Sequence, residues 1–181
     1  TDKTPGWFPF LMPGQAAPAG TPVDMSRLNH EQAGEHGFVH VVDGHFVDGA
    51  GRRLRLFGTN ITSESLFLPD ADAASTAVRL RQLGFNVLRL HMFDRTTPGN
   101  IWKDADKSII DPEGLRRLDM LIAECAKNGI YVNINLHAAR AYPGLPDHIR
   151  RLREFNRGQT FDRWYPPIIR MLEDYATELF N

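Results

Sequence analysis

The sequence predicts an α/β fold: the first three β/α units of a TIM-type barrel, half of the closed form, behind an N-terminal arm and a β-hairpin. Three observations predict it. Twice a helix-like stretch runs into a glycine, then a strand-like stretch, then a histidine, over Gly84 to His91 and over Gly129 to His137. Repeated β/α units have this rhythm, and they place their chemistry at the carboxyl ends of parallel strands. An earlier strand-like stretch, Leu54 to Asn60, sets Asn60, His91 and His137 side by side on one rim. Finally, 181 residues fall short of the ~250 of a closed barrel. The chain ends after one more helix-like stretch, where a fourth strand is expected to begin.

From Thr1 to Pro22 prolines and glycines recur around the rings of Trp7, Phe8 and Phe10, the pattern of an extended arm docked by its aromatics. Phe38 to Val42 and His45 to Val47 flank Asp43-Gly44, a favoured hairpin turn, and Asp48 to Gly51 turns the chain again into Arg53 to Phe57. Residues 1–52 therefore read as arm and antiparallel hairpin, and 53–181 as β/α units. Asp70, after Pro69, is placed to cap the first helix, with Ala74, Ala77, Val78 and Leu83 as apolar positions before Gly84. In the second helix Asp111 suits the N-cap, Pro112 the first helical position, and Leu115, Leu118, Ile122, Cys125 and Ala126 follow a helical period. Gly129 supplies a left-handed stop. The strands after the two glycines are mostly apolar, which fits parallel strands covered by helices. A third helix from about Pro166 carries Ile168, Leu172, Tyr175, Ala176 and Leu179 on one face. The long Arg-, Pro- and Gly-rich segment before it has the length of a functional lid.

A hydrophobic share of 42% and a charged share of 24% belong to an ordinary globular chain. A net charge of -1 gives no whole-chain attraction to nucleic acid or anionic lipid. No apolar run approaches the ~18 residues of a membrane span. The opening Thr1-Asp2-Lys3-Thr4 shows no basic and apolar leader pattern, and localisation stays open. The single cysteine, Cys125, permits no intrachain disulfide and sits on an apolar helix face. With no phosphate-binding glycine loop, no Gly-x-Ser-x-Gly and no Cys-x-x-Cys, the sequence implies no cofactor.

Arg55 to Asn60 on strand one, Leu80 to Leu90 into strand two and Asn135-Leu136-His137 on strand three, with the Gly6 to Phe10 arm and the hairpin, resemble the catalytic domain of cellulase-like glycoside hydrolases, clan A near family 5. The resemblance covers nearly the whole chain. It implies a β/α barrel and a carbohydrate ligand. In that family an arginine at the end of strand two and a histidine near the end of strand three line the subsite beside the scissile bond; by position these are Arg89 and His137. The family's acid/base glutamate follows strand four in an Asn-Glu pair and its nucleophile follows strand seven, and neither segment is expected here. Retaining hydrolysis needs two carboxyl groups ~5 Å apart. O-glycosyl hydrolase activity therefore depends on the missing half or on a partner copy; the alternative is a non-catalytic carbohydrate-binding fragment.

The substrate-binding candidates are Arg89, His137, His91, Asn60, Trp102 and Tyr142. Arg89 brings a permanent charge and five donors to the rim, and equally suits a structural ion pair. His91 and His137 can bind sugar hydroxyls or pack as satisfied core histidines. Asn60 can reach ligand or cap a loop. Trp102, Phe93, Tyr142 and Trp164 offer faces for stacking on a pyranose, or pack the loops themselves. Asp94, Glu64 and Asp104 are acids of the rim loops, for which a solvated position is the commoner state. No metal is assigned: His91 and His137 lack tight ligand spacing, and His36, His40 and His45 show no ligand pattern. Arg150, Arg151, Arg153 and Arg157 form a basic cluster that suits an acidic sugar or a solvated face. Three parallel strands leave two open edges, and Val87, Ile134 and Leu136 are the expected apolar inward residues. A symmetric homodimer covering the open barrel face is therefore expected.

Overall fold

The computed structural model describes residues 20–95, 101–103, 109–138, 140, 142, 145–149, 151 and 163–181. The aromatic arm, Asp104 and Arg150, Arg153 and Arg157 of the basic cluster lie outside the described residues. The first element is the predicted hairpin. β1 (His40–Val42) pairs antiparallel with β2 (His45–Val47), His40 opposite Val47. Asp43 and Gly44 both take positive φ, 48° and 74°. That turn follows the right-handed twist of the flanking strands.

β3 (Gly58–Thr62), β4 (Val87–His91) and β5 (Tyr131–Ile134) form one parallel sheet in that order, which does not close among the described residues. β3 begins later than the sequence suggests. Of the stretch Arg53 to Phe57, only Arg53 makes an isolated bridge, to Val47, and the Phe57 N–H is taken by the Asn86 side chain at 2.7 Å. Close pairing starts at Gly58, where any Cβ would collide with Val87. Asn60 is consequently opposite Arg89 in mid-sheet, and the carboxyl end of the strand is Thr62.

α1 (Asp70–Gln82) and α2 (Pro112–Lys127) cover one face of this sheet. The Asp111 side chain caps α2 by accepting the Glu113 N–H at 3.3 Å, with Pro112 in the first turn as predicted. Asp70 does not cap α1. Pro69 takes the N-cap position without a side-chain acceptor, and the Asp70 carboxylate instead accepts Arg116 of α2 at 3.0 and 3.1 Å. Hydrogen bonds from Arg116 and then Arg117 hold the exposed Glu113 carboxyl down at about 2.

Burial alternates along the strands. Leu88 and Leu90 are wholly buried with Ala73, Ala77 and Leu80 of α1 and Leu118, Leu121 and Cys125 of α2, while Ile61, Val132, Ile134 and Leu136 pack against this cluster. Burial pushes the Cys125 thiol up to about 12, the state of a core residue. On the other face Asn60, Arg89 and Asn133 are exposed. Of the three residues expected to make that face apolar, Ile134 and Leu136 belong to the core side. Val87 alone lines the open face. A strand buried on both sides is apolar throughout; here Asn60, Arg89 and Asn133 hold the middle of the uncovered face, so that face is wet.

α3 (Pro166–Phe180) packs Ile168 with Tyr142 and Ile149, and Tyr175 into the main core. No helix of the described residues is long and apolar enough to cross a membrane. The segment before the hairpin is tied to the helix ends, with the Met25 N–H donating to Gln82 and the Ala33 N–H to Ala126, both at 2.8 Å.

Candidate functional site

The wet face and the loops beyond the strand ends hold most of the candidate residues. Gly58, Thr59, Asn60, Val87, Arg89 and Asn133 line an open concavity of about 720 Å³. Asn135 extends the polar row by one step, its N–H donating to the Leu90 carbonyl at 3.1 Å. With its amide oriented to satisfy both neighbours, Asn135 accepts from the Arg89 guanidinium and donates to the His137 carbonyl at 3.2 Å. Arg89 is thus linked through the Asn135 side chain to the backbone carbonyl of His137. The alternation Asn133, Asn135, His137 beside Arg89 is the sequence signal for this, since residues two apart share a strand face.

His137 itself turns toward a buried cluster. Asp94, three residues beyond β4, is fully buried. Its Oδ2 accepts the backbone N–H of Ala138 and of Arg140, both at 2.9 Å, and lies 3.7 Å from His137 Nδ1. The Tyr142 hydroxyl is 3.2 Å from the same nitrogen. The sequence favours a solvated loop acid at Asp94, whereas the fold replaces its water with backbone donors, which is what lets a carboxylate be buried. The Asp94 carbonyl accepts Trp102 Nε1 at 3.2 Å, tying the rim loop to the same point.

Arg140, 8% exposed, completes the layer. Its guanidinium lies 4.7 Å from the ring centres of Trp102 and Tyr175 and 5.3 Å from Tyr142, and donates to the Met171 carbonyl at 3.0 Å. Burial lowers its pKa from the ordinary guanidinium value. Trp102 is 6% and Tyr142 5% exposed, and Phe93 is wholly buried, so these rings form the support of the rim loops. Trp164, 59% exposed, is the accessible ring of that set. His91 ends β4 with a buried Nδ1 that has no hydrogen-bond partner among the described residues. Glu64 lies exposed in the short 3-10 turn Ser63–Leu66.

Ser63 and Met92, the residues directly after β3 and β4, take positive φ of 54° and 58°. Such backbone costs on the order of 1–3 kcal/mol per residue and persists where the surroundings over-determine it. Neither residue type announces this in sequence. Among the described residues, His91 and His137 belong to no group of three potential metal ligands; the group that does exist is His30, His36 and Asp48, in the segment before and around the hairpin.

No solved structure matches the chain. Over 73 residues the chain is 38% identical to a beta-xylosidase of Phanerodontia chrysosporium, a match covering 40% of this chain and 14% of that protein. The chain therefore spans a small part of that relative's length. Residues 47–172 match the family described as Cellulase (glycosyl hydrolase family 5). That stretch contains all three parallel strands and both covering helices, as well as Arg89, Asp94, Asn135, His137 and Arg140. The chain belongs to the cellulase family, glycosyl hydrolase family 5.

Proposed function

We propose that this chain supplies the arginine–histidine side of a carbohydrate-binding cleft in a glycoside hydrolase of β/α-barrel architecture, of which the three parallel strands are the first. The observation that carries the reading is the Arg89–Asn135–His137 chain at the carboxyl end of the wet sheet face. Arg89 offers charged donors to sugar hydroxyls or to a neighbouring carboxylate. Asn60, Asn133 and His91 add neutral polar groups beside it, and Trp102 and Tyr142 hold the rim from behind. Asp94, enclosed and committed to backbone donors, positions His137 and does not reach ligand. The two carboxyl groups of a retaining mechanism come in this reading from further segments of a longer chain or from a second copy.

The name of the relative makes β-linked xylo-oligosaccharides the first probes, with cello-oligosaccharides beside them. Calorimetric titration is expected to show binding that Arg89→Ala weakens by roughly tenfold or more, since a hydrogen bond involving a charged group contributes about 1.5–3 kcal/mol, and that His137→Ala weakens by roughly threefold or more, the scale of an uncharged hydrogen bond. Unchanged affinity in both variants, with native circular dichroism, overturns the assignment. Sedimentation at micromolar protein separates the two sources of carboxylates. A homodimer that Arg89→Glu disrupts places the partner over this face; a monomer assigns the carboxylates to a longer chain. Because the face is polar, such a dimer would lack most of the hydrophobic driving term that an apolar sheet surface supplies.

A further inference from the structure

We propose that His30, His36 and Asp48 form a binding site for a divalent transition-metal ion, zinc foremost, at the amino-terminal side of the sheet and remote from the strand ends that carry the carbohydrate site. One nitrogen from each ring and one carboxylate oxygen lie within 4.8 Å of one another. Two imidazoles and a carboxylate are a donor set for zinc and its neighbours, with room left for water.

The separations are those of ligands awaiting a shared ion. His30 Nε2 lies 3.9 Å from Asp48 Oδ2, too far for a hydrogen bond. Two ligands each ~2.1 Å from a tetrahedral ion stand about 3.4 Å apart. The outer partners are also in place. The Tyr131 hydroxyl is 3.2 Å from His30 Nδ1, and Glu35 Oε1 is 3.1 Å from His36 Nε2. Metal-binding imidazoles characteristically engage an oxygen through their second nitrogen, which sets tautomer and ring orientation. When Nδ1–H donates to Tyr131, the tautomer that metal binding requires, the His30 lone pair rests on Nε2, the atom facing Asp48.

The His30 backbone and the Asp48 side chain are held in place by hydrogen bonds and close contacts. The His30 carbonyl accepts Arg81 at 3.1 Å and abuts Gly129. The Asp48 side chain is 1% exposed and fastened by the Ala50 and Arg52 N–H groups on Oδ1. Arg52 is also the competitor. Its Nε and terminal nitrogen each sit 2.9 Å from Oδ2, on a side chain 56% exposed that can move into solvent when an ion arrives.

The test uses tag-free protein, Zn²⁺ calorimetry and Co²⁺ visible absorption, none of which depends on carbohydrate binding. One ion per chain is expected, with the intense bands of a low-symmetry Co²⁺ site. His36→Ala should weaken binding by more than about tenfold. Arg52→Ala should tighten it several-fold by releasing Oδ2, and His40→Ala, on the exposed hairpin, should leave it unchanged. Opposite effects at His36 and Arg52 separate a metal site from general damage to the fold. The proposal fails if no stoichiometric binding occurs, if His36→Ala binds as tightly as the parent, or if Arg52→Ala does not tighten binding.

Discussion

Asp94→Ala is expected to lose roughly 3–5 kcal/mol of folding stability, together with any carbohydrate binding that depends on His137. The carboxylate is the acceptor for the part-buried Ala138 N–H and the buried Arg140 N–H, and the neighbour of His137 Nδ1. Truncation leaves both donors without that acceptor, at about 1–3 kcal/mol each. It also removes the group against which the loop after β5 is laid. Asp94→Asn keeps the shape and one acceptor oxygen but turns the other into a donor, so an intermediate loss is expected. Urea denaturation followed by circular dichroism measures both variants. A loss below about 1 kcal/mol for the alanine would show that water reaches the Ala138 and Arg140 N–H groups and that Asp94 does not order the loop.

Gly129→Ala is expected to be comparably damaging, at roughly 2–4 kcal/mol. Gly129 ends α2 with φ of 69°, a left-handed conformation that costs an L-residue about 1–2 kcal/mol. The added Cβ would also collide with the His30 carbonyl, a backbone atom that yields only if the whole segment moves. Gly44→Ala is the control. Its φ of 74° is similarly left-handed, but nothing lies within 4 Å of the added atom, so only the conformational cost applies. The difference in midpoint between the two variants measures the close approach of His30 to the end of α2. Equal losses would mean that the His30 segment is loosely held.

Local signals carried far in this chain. Gly84 and Gly129 stop α1 and α2 at positive φ, Asp111 and Pro112 open α2, and Asp43-Gly44 turns the hairpin, each because one residue's own conformational preference or side-chain reach is enough. Those signals, with the helix–glycine–strand order, determined three parallel strands with helices between them, and the resemblance of the three strand motifs to cellulase-like glycoside hydrolases pointed to the family that the match over residues 47–172 shows. Where a partner is distant in sequence, the outcome rested on packing. Only pairing with Val87 could move the start of β3 to Gly58, and only Arg116, 46 residues away, could draw Asp70 from capping duty. Ile134 and Leu136 look like inward residues in isolation; which face meets α1 and α2 is a property of the assembled sheet, and it left the polar side open. The burial of Asp94 and the meeting of His30, His36 and Asp48 were likewise decided by tertiary structure alone. A carboxylate's solvation and a ligand's spacing are through-space quantities, and no period along the chain encodes them.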